Sequence, residues 1–379
     1  MIFLDYASAT PVSKAAKKAM IPYESDKFFN PSAPYLPAKH VREDYEKAKA
    51  DLAHVIGAKG DDLIITSGAT EANNLAFTAV PENSAVLILE TEHASVLNLG
   101  KKLKAKFIKV DKNGRIDLED FKKQLDKNVG FVSVALANNE LGTIQPLAEI
   151  AELIKKERED RLINNNPLPI VFHSDASQAL NLVPISVARL GVDLLTINSA
   201  KVYGPKGVGA LYVGHQVSLK PISEGGGQEK GLRSGTENVA GLIGFTAATA
   251  EINQNGSRKH YEKLRQILKS ELKKSEIEPL FLGSEKHQLA NFCPVCFPGL
   301  DAERIIFRLE ESEIYLSTGA ACAASKGEPS HVLKAIGLSD EEINGSLRIS
   351  LGKDNTEEDM KIAGQKIVAA VKKELQFSK

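Results

Sequence analysis

Between Asp61 and Val213, short runs of apolar and often β-branched residues alternate with longer stretches in which apolar positions recur every three or four residues. The runs are Leu63–Thr66, Ala85–Leu89, Phe131–Ala135, Ile170–His173, Leu194–Ile197 and Gly209–Val213. Strands that are apolar on both faces and separated by helical segments predict a mostly parallel sheet with helices on either side, an α/β architecture. Ligands in such sheets bind beyond the carboxyl ends of the strands, so the residues after each run are the candidates for chemistry. Further on, Ser257 to Lys274 sets Tyr261, Leu264, Ile267, Leu268 and Leu272 on one face, predicting an amphipathic helix with a solvated basic face. Shorter pieces follow (Asn291–Phe297, Ala302–Glu311, Ser330–Ala335, Ser346–Ser350), read as a smaller α+β domain, and Thr356 to Leu375 reads as a last helix. The run Asn164-Asn165-Asn166-Pro167 predicts a surface turn.

Charge narrows the partners. The 379 residues include 48 Lys and Arg against 49 Asp and Glu, a net charge of -1. With no basic excess to displace phosphate counterions, direct nucleic-acid or anionic-membrane binding has no electrostatic basis. The longest apolar stretches, such as Ser84–Leu89 and Phe131–Ala137, fall far short of the roughly 20 residues of a membrane-spanning helix. Met1-Ile2-Phe3-Leu4-Asp5 has neither a signal-peptide nor a transit-peptide pattern, so a cytoplasmic location is expected. Only three cysteines occur, Cys293, Cys296 and Cys322. That count suits a reducing compartment, in which a cysteine with a role is a reactive one.

The strand ends carry distinctive residues. After Leu63–Thr66 comes Ser67-Gly68-Ala69-Thr70-Glu71, opening a helix read as Ala72–Ala79. This small-residue turn is a candidate phosphate cradle, or simply a helix cap with Ser67 or Thr70 as the capping residue. The next ends are Glu90-Thr91-Glu92-His93 and Ala137-Asn138-Asn139-Glu140-Leu141-Gly142. The fourth is His173-Ser174-Asp175-Ala176-Ser177-Gln178, where a desolvated carboxylate calls for a cationic partner. The fifth is Asn198-Ser199-Ala200-Lys201, where a lysine among small residues is either an ion-pair partner or a Schiff-base former.

Cradle, His, Asp and Lys in this order resemble the pyridoxal-phosphate enzymes of fold type I, in the class V aminotransferase superfamily, and more narrowly the cysteine desulfurases of the NifS/IscS type. The resemblance spans nearly the whole chain. It begins at Leu4-Asp5-Tyr6-Ala7-Ser8-Ala9-Thr10-Pro11 and Asn30-Pro31-Ser32 and continues through the strand ends to Gly225-Gly226-Gly227-Gln228-Glu229 and Arg233-Ser234-Gly235-Thr236. It closes with Ser317-Thr318-Gly319-Ala320-Ala321-Cys322, Glu328-Pro329-Ser330 and Ser346-Leu347-Arg348-Ile349-Ser350-Leu351-Gly352.

The resemblance implies a large cofactor-binding domain over residues 13–250 and a small domain formed by 1–12 and 251–379 that carries the Cys322 loop. It implies that Lys201 holds pyridoxal 5'-phosphate and moves the substrate Cα proton, with Asp175 on the pyridinium nitrogen and Gln178 on the ring hydroxyl. His93 is expected to stack on the ring and Asn139 to sit beside ring and substrate. Ala69, Thr70 and Asn198 are the expected phosphate ligands, joined by Thr236 from the second subunit of a homodimer. Arg348 is expected to take the carboxylate of L-cysteine. Cys322 is the expected sulfur acceptor, becoming a persulfide while alanine leaves, and its distance from Glu328-Pro329-Ser330 resembles the longer-loop IscS-like group. The product sulfur is expected to pass to a partner protein in iron-sulfur cluster assembly or tRNA thiolation.

The chain departs from the family pattern in places. Ala200 stands where His usually precedes the cofactor lysine, Asn198 where Ser is usual, and Gln228 and Lys230 where His and Arg are common. The sequence ends at Lys379 soon after the last helix, giving the expectation that a longer scaffold-docking tail is lacking. A related lyase acting on selenocysteine, and a family member weakened by Ala200 that acts as a binding partner, are the alternatives. Cys293 and Cys296 form Cys-Pro-Val-Cys, by spacing half of a zinc or redox site, but they sit in a strand-like segment without a second pair. No metal site is expected.

Overall fold

The computed structural model describes residues 1–252, 254–318 and 329–377. Cys322, Glu328 and the loop around them lie outside the described residues. The chain opens with β1 (Ile2–Phe3) and then builds β2 (Leu63–Thr66), β3 (Ala85–Leu89), β4 (Lys106–Ile108), β5 (Val129–Ser133), β6 (Val171–Asp175), β7 (Leu194–Asn198) and β8 (Gly209–Val213). The last seven form one sheet in the order β2-β8-β7-β6-β5-β3-β4. Its interior pairs are parallel, whereas β8 runs antiparallel to both β2 and β7. Strands β5 and β6 are buried at every position because helices cover both faces, which explains their unbroken apolar runs.

Each predicted strand of the large sheet is present. Strand β4, at the edge, escaped the sequence reading because Lys106 and Phe107 are exposed and only Ile108 is buried. The cradle helix begins earlier than predicted, at Ala69, and runs to Ala76 before a 3-10 turn at Phe77–Ala79. Its N-cap is Gly68, without a side-chain cap, so neither Ser67 nor Thr70 is the capping residue. The predicted Asn turn closes the helix Leu147–Ile163, with Asn165 in the left-handed region at φ 52°.

Beyond the sheet, β9 (Leu280–Phe281), β10 (Val295–Cys296) and β12 (Ser346–Leu347) form an antiparallel group, and β1 pairs in parallel with β11 (Ile314–Tyr315). The amphipathic helix Gln254–Leu272 buries Tyr261, Leu264, Leu268 and Leu272 in the same core as Met360, Ala363, Ile367 and Val371 of Glu357–Phe377. Cys293 and Cys296 are free thiols buried in this region, and burial pushes both up to about 11. Cys296 Sγ lies 3.1 Å from the Glu342 carbonyl oxygen.

Candidate active site

Parallel pairing aligns the carboxyl ends of β5, β6 and β7, with Asp175 opposite Thr196. Asp175 is buried at its strand end. Its Oδ2 accepts a hydrogen bond from Asn73 Nδ2 and its Oδ1 one from the Ser177 backbone N–H, both at 2.9 Å. These are neutral donors, and they hold the carboxylate without cancelling its charge.

Asn73 was not singled out in the sequence, yet it ties the site together. It sits on the cradle helix, and its Nδ2 also donates to Ser95 Oγ at 2.9 Å. Ser95 in turn lies 2.8 Å from His93 Nδ1 through its hydroxyl, and its N–H donates to the same nitrogen at 3.1 Å. His93 therefore caps the helix Ala94–Lys102 through Nδ1, which fixes that nitrogen as the acceptor. The ring keeps a solvent-exposed side, while the protein atoms behind it push its pKa below the ordinary histidine value. Behind Asp175, His173 is fully buried between Ser133 Oγ (2.9 Å) and Thr196 Oγ1 (3.1 Å), and burial takes it down to about 4. It is a neutral strut at physiological pH.

Lys201 ends the 3-10 turn Ser199–Lys201 just past β7, a turn capped by Asn198 Oδ1 accepting from the Ala200 N–H at 3.3 Å. Its amine reaches the N-terminal strap, donating to the Ala7 carbonyl at 2.8 Å and to that of Ser8. Gln178 Nε2 donates to the same Ala7 carbonyl at 3.0 Å. The strap itself is pinned beside the turn by Thr10, whose N–H donates to the Ala200 carbonyl at 3.0 Å.

The same strap touches the other end of the site. Arg348 is buried, with Nη2 paired to Asp5 Oδ1 at 2.7 Å and Nη1 donating to the Asn139 carbonyl at 3.2 Å. Asn139 and Arg348 are thus brought together, with Asp5 steering the guanidinium from a position that sequence reasoning did not assign. The neighbouring Asn138 holds its turn by donating to the Thr91 carbonyl and accepting from the N–H groups of Glu140 and Leu141.

The cradle is open where an anion would approach. A Cβ at Gly68, which has φ 148°, would meet nothing within 4 Å. Gly209 of β8 packs so closely that a Cβ there would lie 2.8 Å from Gly68. The first N–H groups of the helix at Ala69 and Thr70 point out of the helix end and lack intrahelical acceptors. Glu71 ties the cradle to the glycine-rich loop, accepting from the Ser67 N–H at 2.7 Å and from Arg233 Nε at 2.9 Å. Thr236 is exposed at the end of that loop. Among the described residues no three His, Cys, Asp or Glu side chains are grouped to hold a metal, and no helix is long and apolar enough to cross a membrane.

A buried carboxylate, a lysine amine, an imidazole and a helix N-terminus gathered at the carboxyl ends of the strands would fit an aromatic cationic ligand with a phosphate. Asp175 with its neutral donors would take the ring nitrogen, and Lys201, His93, Ala69, Thr70 and Asn198 surround the remaining chemistry.

A family model described as aminotransferase class-V matches residues 2–362. The chain is 40% identical over 375 residues to cysteine desulfurase IscS 1 of Archaeoglobus fulgidus, spanning 95% of this chain and 94% of the relative. It is 37% identical over 373 residues to cysteine desulfurase IscS of Dictyoglomus turgidum, spanning 95% and 91%. Among solved structures it is similar to a NifS-like protein, with a TM-score of 0.89 at 31% identity over 98% of this chain and 99% of the other. It is also similar to SspA in complex with cysteine, with a TM-score of 0.79 at 30% identity over 93% and 99%.

Proposed function

The chain belongs to the class-V aminotransferase family, and from that premise we propose that it is a cysteine desulfurase of the NifS/IscS type. It converts L-cysteine to L-alanine and transfers the sulfur to its own Cys322. The observation that carries this reading is the hydrogen-bonded line Asp175–Asn73–Ser95–His93, set beside Lys201 at the strand ends.

Pyridoxal 5'-phosphate, when bound, supplies an electron sink that lets the substrate Cα lose its proton. Lys201 would hold it through its amine and would move the proton at the substrate Cα. Asp175 would keep the ring nitrogen protonated, Gln178 would bond the ring hydroxyl and His93 would pack against the ring. Ala69, Thr70 and Asn198 would hold the phosphate, joined by Thr236 from the second subunit of a homodimer. Arg348, steered by Asp5, binds the substrate carboxylate beside Asn139.

The Cys322 thiolate attacks the substrate sulfur. An S–S bond forms as the Cβ–S bond breaks, the electron pair stays with the carbon fragment, and proton uptake at Cβ and Cα releases alanine. Cysteine plus thiol becomes alanine plus persulfide, so no outside oxidant is required. The persulfide then serves a sulfur-acceptor protein of iron-sulfur cluster assembly or tRNA thiolation in the cytoplasm. We assign residues 13–250 to a large domain and residues 1–12 with 251–379, the stretch of sequence that includes Cys322, to a small one.

The test is the visible spectrum of the purified protein with pyridoxal phosphate before and after L-cysteine, with alanine quantified in the same tube. A band that shifts, with alanine formed, is expected. Cys322→Ser should keep the band and lose alanine formation by at least about a hundredfold, the loss typical of a missing nucleophile. Undiminished alanine production by that variant would make the enzyme a lyase that acts without Cys322.

A further inference from the structure

One buried acid in the site has no part in the reaction above. Glu92, between β3 and the cap residue His93, has no exposed surface. Its Oε1 accepts from the Ala135 backbone N–H at 2.5 Å, and among the described residues its Oε2 is buried with no hydrogen-bond partner. Ala135 lies just past β5, and the next residue, Leu136, donates its N–H to the Asp175 carbonyl at 2.9 Å. The segment just past β5 therefore runs between Glu92, whose carboxyl takes the Ala135 N–H, and Asp175, whose backbone carbonyl takes the Leu136 N–H, and the Asp175 charge is near enough to act on Glu92.

Two such groups cannot both stay charged in a dry site, and their donors differ. Asp175 receives a hydrogen bond on each oxygen, whereas Glu92 receives one on a single oxygen. An unpartnered anionic oxygen costs far more to bury than an unpartnered hydroxyl. We infer that Glu92 is held as a neutral acid, a positioning residue that leaves Asp175 the sole carboxylate charge beneath the cofactor ring. The role assigned to the ring rests on the cofactor reading above; the protonation of Glu92 does not.

Among the described residues, the other groups around Glu92 do not supply a compensating cation to its carboxyl. The His93 ring is engaged with Ser95, and His331 from the helix His331–Ala335 places Nε2 3.0 Å from the Glu92 backbone carbonyl rather than its side chain. Next to His331, Ser330 donates to the buried Glu140, which burial also biases toward its neutral form. Burial, with the charge of Asp175 adding to it, raises the Glu92 carboxyl to about 8, against the opposing pull of the Ala135 N–H.

The experiment compares urea unfolding of the cofactor-free full chain with that of Glu92→Gln across pH. A neutral buried acid keeps a proton that the unfolded chain gives up above its ordinary pKa. Wild-type stability relative to the variant must then fall from pH 5 to pH 8, by about tenfold in the ratio of folding constants per pH unit, and level off above. A ratio that does not change with pH overturns the inference. Should Glu92→Gln not fold, Glu92→Met carries the same comparison, and failure of both neutral replacements to fold overturns it as well. Pyridoxal phosphate added to wild type and Glu92→Gln at pH 7 should give the same band with affinities within about twofold, and a tenfold weaker variant would also overturn it. The absence of a band in both proteins would remove the cofactor reading and leave the unfolding result standing.

Discussion

Two buried carboxylates in this protein show how the same charge can serve opposite ends. Glu229, on the glycine-rich loop, accepts from Tyr45 Oη at 2.5 Å and from Lys49 Nζ and the Ile65 N–H, each at 2.8 Å. The Lys49 and Glu229 side chains are 6% and 5% exposed, so the chain supplies its own cation to this acid. Among the described residues, Asp175 is held only by an amide and a backbone N–H. The first arrangement locks a loop, whereas the second, among the described residues, holds a carboxylate with neutral donors alone. Backbone conformation tells the same story. Glu229 and Lys230 sit in the left-handed region at φ 46° and 60°, a strain that the ion pair on one side and Lys230 bonded to the Asp61 carbonyl on the other can hold.

The contrast can be broken by exchanging the behaviours. The largest effect is expected from Asp175→Asn, which should lower turnover by about a thousandfold through loss of the ring-nitrogen charge pair while leaving the urea midpoint of the cofactor-free protein nearly unchanged. A variant that instead loses stability would make Asp175 a structural acid like Glu229. Next, Glu229→Gln should cost about 3 kcal/mol of unfolding free energy by leaving Lys49 buried without its counter-charge, with the visible band retained at saturating cofactor. Loss of the band without loss of stability would move Glu229 into the cofactor site. The smallest effect belongs to the edge of the site: Asp5→Asn should raise KM for cysteine about tenfold with kcat nearly unchanged, because Asp5 orients the Arg348 guanidinium without touching the reacting atoms. A fall in kcat at constant KM would contradict that placement.

Much of the site could be read from sequence because a strand end is a local feature. An apolar run followed by small or polar residues marks where β6 and β7 stop, and so points to Asp175 and Lys201 without knowledge of strand order. The cradle helix was found but started three residues late, since Ala69, Thr70 and Glu71 look as much like a turn as a first helical turn. The short strands of the small region were read too long: Asn291–Phe297 shrinks to Val295–Cys296 and Ser346–Ser350 to Ser346–Leu347. The residues beyond those short strands still pair, Phe292 with Ser350, Cys293 N–H to the Ile349 carbonyl and Leu351 N–H to the Asn291 carbonyl, but as isolated bridges rather than one continuous ladder.

The residues that sequence reasoning passed over share one property, a partner far away along the chain. Asn73 meets Asp175 across 102 positions, and Asp5 meets Arg348 across 343. His331 reaches Glu92 across 239. No periodicity or spacing rule carries such pairs.

The sequence by itself determined the α/β class, the positions of the strand ends and the kinds of side chain waiting there, because periodicity and residue chemistry act over a few neighbours. Only the tertiary structure decided that β8 lies between β2 and β7, that the N-terminal strap joins Lys201 to Arg348, and which buried acid has a cation of its own. Those outcomes depend on burial and on hydrogen bonds between distant segments, and such contacts exist only once the chain has closed around them.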